Sequence, residues 1–134
     1  MTSEKITILI IDDEIVSRAT LEALLECPEY ALVLAETGSQ GLEKATTLTP
    51  DLILLDVMMP GMNGFEVCRR LRADPNPKLA KLPVIVITAW NDATARARCL
   101  EIGANEVICK PFERDDLHRR VRHLLRLDGL GEPI

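Results

Sequence analysis

Five short apolar runs, each followed by a segment with apolar residues at helical spacing, constrain this chain more than any other feature. The runs are Ile6–Ile11, residues 31–35, Leu52–Leu55, Val84–Thr88 and Glu106–Cys109. The first, third and fourth are almost continuously apolar, which suits parallel strands covered on both faces. Between them, Leu21, Leu24 and Leu25 mark one helix, and Leu42, Ala45 and Leu48 a second. Phe65, Cys68 and Leu71 mark a third, and Ala93, Ala97 and Leu100 a fourth. Leu117, Val121, Leu124 and Leu125 give the last helix the clearest stripe. A β-α pattern repeated through the chain predicts an α/β fold: one doubly wound (βα)5 domain with helices on both faces of a parallel sheet.

Turn-forming residues agree with that division. Ser39 is expected to cap the second helix and Gly103 to stop the fourth. Pro50, Pro75, Pro77 and Pro83 are expected between elements, where a missing N–H costs little. One domain is expected over 6–127, and the stretch 128–134, with Gly129, Gly131 and Pro133, reads as a flexible tail or the start of a linker.

Aromatic residues are only 3% of the 134, so the core must be aliphatic. Cys27, Cys68, Cys99 and Cys109 include no Cys-x-x-Cys pair, so they read as small apolar filler before a zinc site or a disulfide framework. A net charge of -5 argues against bulk attraction to nucleic acid, although a local basic patch stays open. No signal peptide and no run near the roughly 20 apolar residues of a membrane span are seen, so the expected location is cytoplasmic.

In an open α/β sheet, ligands bind beyond the carboxyl ends of the strands. Those ends carry Asp12 and Asp13 after the first strand, Asp56 after the third, Thr88 on the fourth and Lys110 after the fifth. Three carboxylates brought together repel, and a hard divalent cation such as Mg²⁺ removes the conflict with oxygen ligands. One carboxylate then serves as nucleophile toward a phosphoryl group, whose remaining oxygens need a cation and a hydroxyl. Lys110 and Thr88 supply both. Taken singly, each residue has a plain explanation. An Asp at a strand end is usually a cap or turn residue, Lys110 alone reads as a surface lysine, and an acidic cluster also suits Ca²⁺. What favours the chemistry is four strand ends each carrying a residue that it needs.

The segments ILIIDDE, PDLILLDVMMPGMNGFEVCRRLR, LPVIVITA and GANEVICKPF together resemble the response-regulator receiver family of two-component signalling, over nearly the whole of 6–127. The resemblance implies a flavodoxin-like sheet of order 2-1-3-4-5. It implies Asp56 as phosphoacceptor, Asp13 as a direct Mg²⁺ ligand, Asp12 as a second acid acting through water, and Met58 as a backbone carbonyl ligand. Thr88 and Lys110 match the residues that bind phosphoryl oxygens, and the Lys110–Pro111 bond is expected cis. The implied partners are a histidine kinase or histidine phosphotransfer protein and a downstream effector, with a homodimer through the fourth or fifth helix region. The implied activity is a switch that assists only its own phosphorylation and dephosphorylation. The segments VCRRLRADP and LLRL resemble receivers that precede nucleotide cyclases, so a C-terminal effector of that kind is the alternative. An aspartate-nucleophile phosphohydrolase is less suited, because the position of its general acid holds Met58. An unphosphorylated scaffold is opposed by the complete residue set.

Val107 occupies the position where the family often carries a switching aromatic. Trp90, two residues past Thr88, is read as a loop aromatic or, with Met58, as a flank that shields the phosphoryl group from water. Arg114, Arg119, Arg120, Arg122, Arg126, His118 and His123 make the last helix basic, either a solvated face or a docking surface.

Overall fold

Where apolar residues run without a break, the backbone must satisfy its polar groups through neighbouring strands, and all five runs do so in one sheet. The structure is a computed structural model that describes residues 5–57, 61, 63–90 and 92–125. The strands are β1 (Ile6–Ile11), β2 (Tyr30–Ala35), β3 (Leu52–Leu55), β4 (Val84–Thr88) and β5 (Glu106–Cys109). Their order is β2-β1-β3-β4-β5 and every pairing is parallel. This is the expected flavodoxin-like order. Every residue of β3 and β4 is buried, as their unbroken apolar sequences require.

The helices are α1 (Ile15–Leu25), α2 (Gly38–Leu48), α3 (Gly64–Arg72), α4 (Pro77–Ala80), α5 (Ala93–Glu101) and α6 (Arg114–Leu124). Strand alternation divides the core into two layers. Leu9, Ile11, Ile53, Leu55 and Val86 face Ala45 of α2, Val67 and Leu71 of α3, and Cys99 of α5. Ile8, Ile10, Leu54, Ile85 and Ile87 face Leu21 and Leu25 of α1 and Leu117 and Val121 of α6. Each fully buried aliphatic side chain stabilises the fold by about 1.5–3 kcal/mol relative to exposure. Close approach of α2 needs Gly41, because a Cβ there would stand 2.4 Å from Ile11 Cδ1.

Several local expectations are corrected. The cap of α2 is Thr37, whose side chain accepts from the Gln40 N–H at 3.0 Å, while Ser39 lies inside the helix. With Thr37 as the cap, the helix begins at Gly38, one residue before Ser39. Pro77 is not between elements; it opens α4, where its missing N–H would have had no partner, and Asn76 caps that turn. This extra short helix makes α5 and α6 the fourth and fifth helices of the sequence reading.

The buried face of α5 is Ala95 and Cys99, not Ala93, Ala97 and Leu100, and Leu100 is 43% exposed. Asp92 accepts from the Ala95 N–H at 2.7 Å and so fixes where the helix begins, and three small alanines carry little information about phase. In α2, Leu48 is exposed because an i, i+6 step drifts off the face that Gly38, Gly41 and Ala45 hold against the sheet. Gly103 does end α5, with φ +113. The expected tail at 128–134 and the Met58 carbonyl lie outside the described residues. Among the described residues, no helix is long and apolar enough to cross a membrane.

Candidate phosphoacceptor and metal site

Sheet hydrogen bonds continue one residue past the strand ends, and this fixes the site. The Asp12 N–H donates to Ala35 O at 3.1 Å, and the Asp56 N–H to Ile11 O at 3.0 Å. The Lys110 N–H donates to Thr88 O at 2.8 Å. Asp12, Asp56 and Lys110 thus project from backbone that the sheet itself holds. The Lys110–Pro111 bond is cis, as expected.

Asp12, Asp13 and Asp56 come together, one carboxylate oxygen of each lying within 4.8 Å of the others. Asp12 is 1% exposed and Asp56 9%, whereas Asp13 is open to solvent. The cluster therefore has a closed floor and an accessible side. Lys110 Nζ stands 3.7 Å from Asp12 Oδ2 and 3.9 Å from Asp56 Oδ2. One ammonium against three carboxylates leaves an excess of negative charge that a single dication neutralises. The donors are all hard oxygens, which fits Mg²⁺ better than a soft metal.

Asp12 also serves the local structure. Its Oδ1 accepts from the Glu14 N–H at 3.0 Å, its Oδ2 from Ser17 Oγ at 2.5 Å, and its carbonyl from Arg18 Nη1 at 2.7 Å. These bonds begin α1, whose capping position, Glu14, makes no side-chain cap of its own. Thr88 is fully buried, and its Oγ1 accepts from the Trp90 N–H at 3.2 Å. The half-buried Trp90 ring meets Phe65 edge-on, with centroids 5.9 Å apart, and the Arg98 guanidinium lies 4.8 Å from the Phe65 centroid.

Val107 is 2% exposed, packed in the core, and has no room to act as a surface switch. All four cysteines are free, and burial pushes the thiols of Cys68 and Cys99 above their usual range. Much of the basic charge on α6 is matched within the chain. Arg119 and Arg120 pair with Asp116, Arg120 reaches Glu106 at 2.7 Å, and Arg114 lies beside Asp115.

Ser17 is the site residue that sequence reasoning missed. Its Oγ accepts from Lys110 Nζ at 2.8 Å while donating to Asp12. Its position one helical turn past the acidic pair places it beside Asp12, but nothing local in the sequence marks the bond to Lys110. The contact between Trp90 and Phe65 was missed as well, since 25 residues separate them.

The family described as response regulator receiver domain matches residues 8–122. Response regulator MprA of Mycolicibacterium vanbaalenii is 37% identical over 131 residues, covering 95% of this chain and 55% of that protein. Response regulator PleD of Caulobacter vibrioides is 43% identical over 119 residues, covering 89% of this chain and 26% of that protein. The chain thus spans about half or less of the length of these curated relatives. Among solved structures, the receiver domain of a Pseudomonas aeruginosa sensor histidine kinase superposes with a TM-score of 0.83 and 30% identity, covering 92% of this chain and 99% of that one. That structure has a magnesium ion coordinated in its active site cleft. The fold, the order of its strands and this match make the chain a member of the response-regulator receiver family.

Proposed function

We propose that the chain is a phosphorylation-controlled switch that accepts a phosphoryl group on Asp56 from a histidine kinase or histidine phosphotransfer protein. The observation that carries this is the meeting of Asp12, Asp13 and Asp56 with Lys110 on one sheet edge. A carboxylate oxygen of Asp56 attacks phosphorus as the bond to the donor's histidine nitrogen breaks, which leaves an acyl phosphate. Asp13 and Asp56 would hold Mg²⁺ directly, with Asp12 acting through water and Met58 as the expected carbonyl ligand. When bound, the ion supplies charge neutralisation for the phosphoryl oxygens. Lys110 donates to one phosphoryl oxygen, and the Thr88 hydroxyl, which accepts from the Trp90 N–H, donates its own proton to another.

The position two residues beyond Asp56, where an aspartate-nucleophile phosphohydrolase carries its general acid, is Met58. Turnover of external phosphate esters is therefore not expected. Output passes through protein contacts that differ between the free and phosphorylated states, since only differential affinity shifts a population. The receiving effector is a separate protein or a C-terminal domain, such as a nucleotide cyclase, on the same regulator.

Incubation with acetyl phosphate and Mg²⁺ followed by intact-mass measurement tests this reading. The parent gains one phosphoryl group and Asp56→Asn gains none. Equal modification of both proteins would remove Asp56 from the role.

A further inference from the structure

β2 is an outermost strand of the sheet, and among the described residues β1 is the one strand paired with it. Its sequence, YALVLA, holds no charge, no Pro and no Gly, and residues 31–34 are all only partly buried. A six-residue segment of that composition on a sheet edge is a template for pairing with another chain. The Ile6 N–H donates to Glu29 O at 2.8 Å, and the Asp12 N–H to Ala35 O at 3.1 Å. Odd-numbered carbonyls of β2 therefore face β1, and the alternation of the strand turns the N–H and C=O groups of Leu32 and Leu34 outward. The outward Leu34 carbonyl accepts from Lys44 Nζ of α2 at 2.5 Å. At the opposite margin, β5 has only four residues, and its Val107 carbonyl accepts from Arg96 Nη1 of α5 at 3.3 Å. Each outer strand thus has a carbonyl held by a helix cation.

We propose that the outer edge of β2 is a pairing surface for a second copy of this chain, and that Lys44 keeps it closed. Strand addition needs an extended partner with matching N–H and C=O groups, and β2 of a second copy offers the same groups at the same spacing. A two-fold arrangement sets the two strands antiparallel and joins the two sheets into one. Lys44 opposes this in two ways. Its donor takes an acceptor that the new ladder requires, and its strongly hydrated ammonium would have to lose water against the incoming strand. The exposed Glu29 and Glu36 bracket β2, so antiparallel pairing also brings like charges together at both ends. Without Lys44, six uncharged residues carry an open edge with nothing along its length to stop a copy from adding.

Sedimentation velocity from about 1 μM to about 1 mM, paired with amide hydrogen exchange, tests this on the full chain. Lys44→Ala removes the donor and suits a helix, so the fold is kept. It is expected to associate one step further than the parent at the same concentration. Exchange at the Leu32 and Leu34 amides should slow by about tenfold as that association proceeds, the effect of one new hydrogen bond each. Lys44→Met, which keeps the stem, is expected to do the same, and Lys44→Arg, which keeps a donor and the charge, to behave as the parent. Lys44→Ala and Lys44→Met proteins that sediment as the parent does overturn the inference. So does added association in which Leu32 and Leu34 exchange as fast as before, because the contact then lies on another surface. Slowed exchange of both amides in the parent itself, rising with concentration, also overturns it, since the edge is then not closed.

Discussion

The backbone N–H of Trp90 donates to the Thr88 hydroxyl at 3.2 Å. A rotation of the Thr88 side chain that carries Oγ1 toward a phosphoryl oxygen would lengthen that bond and shift the loop that carries the chain's single tryptophan. The Trp90 ring already touches Phe65, which in turn lies under Arg98 of α5. The emission of Trp90 is therefore expected to change when Mg²⁺ and beryllofluoride are added. Asp56→Asn should remain silent. A parent spectrum that does not move would mean that the Thr88 hydroxyl keeps its resting partner.

Gly64 lies directly behind Asp56. A Cβ there would come within 2.5 Å of Val57 Cα and 2.7 Å of Asp56 O, both backbone atoms that cannot swing aside. Gly64→Ala is expected to cost roughly 1–3 kcal/mol of stability by overpacking. It should also slow phosphorylation by acetyl phosphate, because the strand end that carries Asp56 must shift. Urea melts and a phosphorylation time course check the two effects separately. Stability lost with an unchanged rate would show that the displacement goes elsewhere.

Arg72 closes the far side of the domain. Its guanidinium donates to Gly103 O, Ala80 O and Asn105 Oδ1, so one side chain joins the ends of α3, α4 and α5. Arg72→Met keeps much of the stem and removes every donor. The expected loss is about 2 kcal/mol, as for hydrogen bonds from a charged group. For a domain of this size that lowers Tm by about 6–10 °C. A melt within a degree of the parent would assign those carbonyls to other partners.

Burial raises the pKa of Tyr30 above its ordinary 10.0 and of Cys68 and Cys99 above 9.0. Each group keeps its proton longer in the folded chain than in the unfolded one. Their contribution to stability is therefore complete below about pH 9 and is lost as pH rises through the raised folded values. Urea melts between pH 7 and about pH 11 should show falling stability on the alkaline side. Cys68→Ala with Cys99→Ala should start lower, because cavities form, and fall less steeply. An equal slope would assign the alkaline loss to other groups.

The elements legible in the sequence were those whose residues leave few choices. LILL and VIVIT admit almost no arrangement other than buried strands, and both were placed to the residue. Asp12, Asp13, Asp56 and Lys110 were legible because the ends of parallel strands share one edge, so residues far apart in sequence meet without knowledge of loop paths. Helix faces built from small residues were not. ATARARCLE presents alanines on several sides, and only the Asp92 cap decides that Ala95 and Cys99 turn inward. Ser17 escaped for another reason. Its importance lies in a bond to Lys110, 93 residues away, and no local pattern distinguishes a bridging hydroxyl from a solvated one.

Because the Asp12, Asp56 and Lys110 amides are stitched to adjoining strands, the groups proposed to react are anchored to the sheet itself. Surrounding helices are then at liberty to diverge without knocking the chemistry out of alignment. An engineer wishing to redirect such a switch to a new sender or receiver can rewrite the outer surfaces of α1, α5 and α6, provided the buried stripes stay. The acidic floor would come along unaltered.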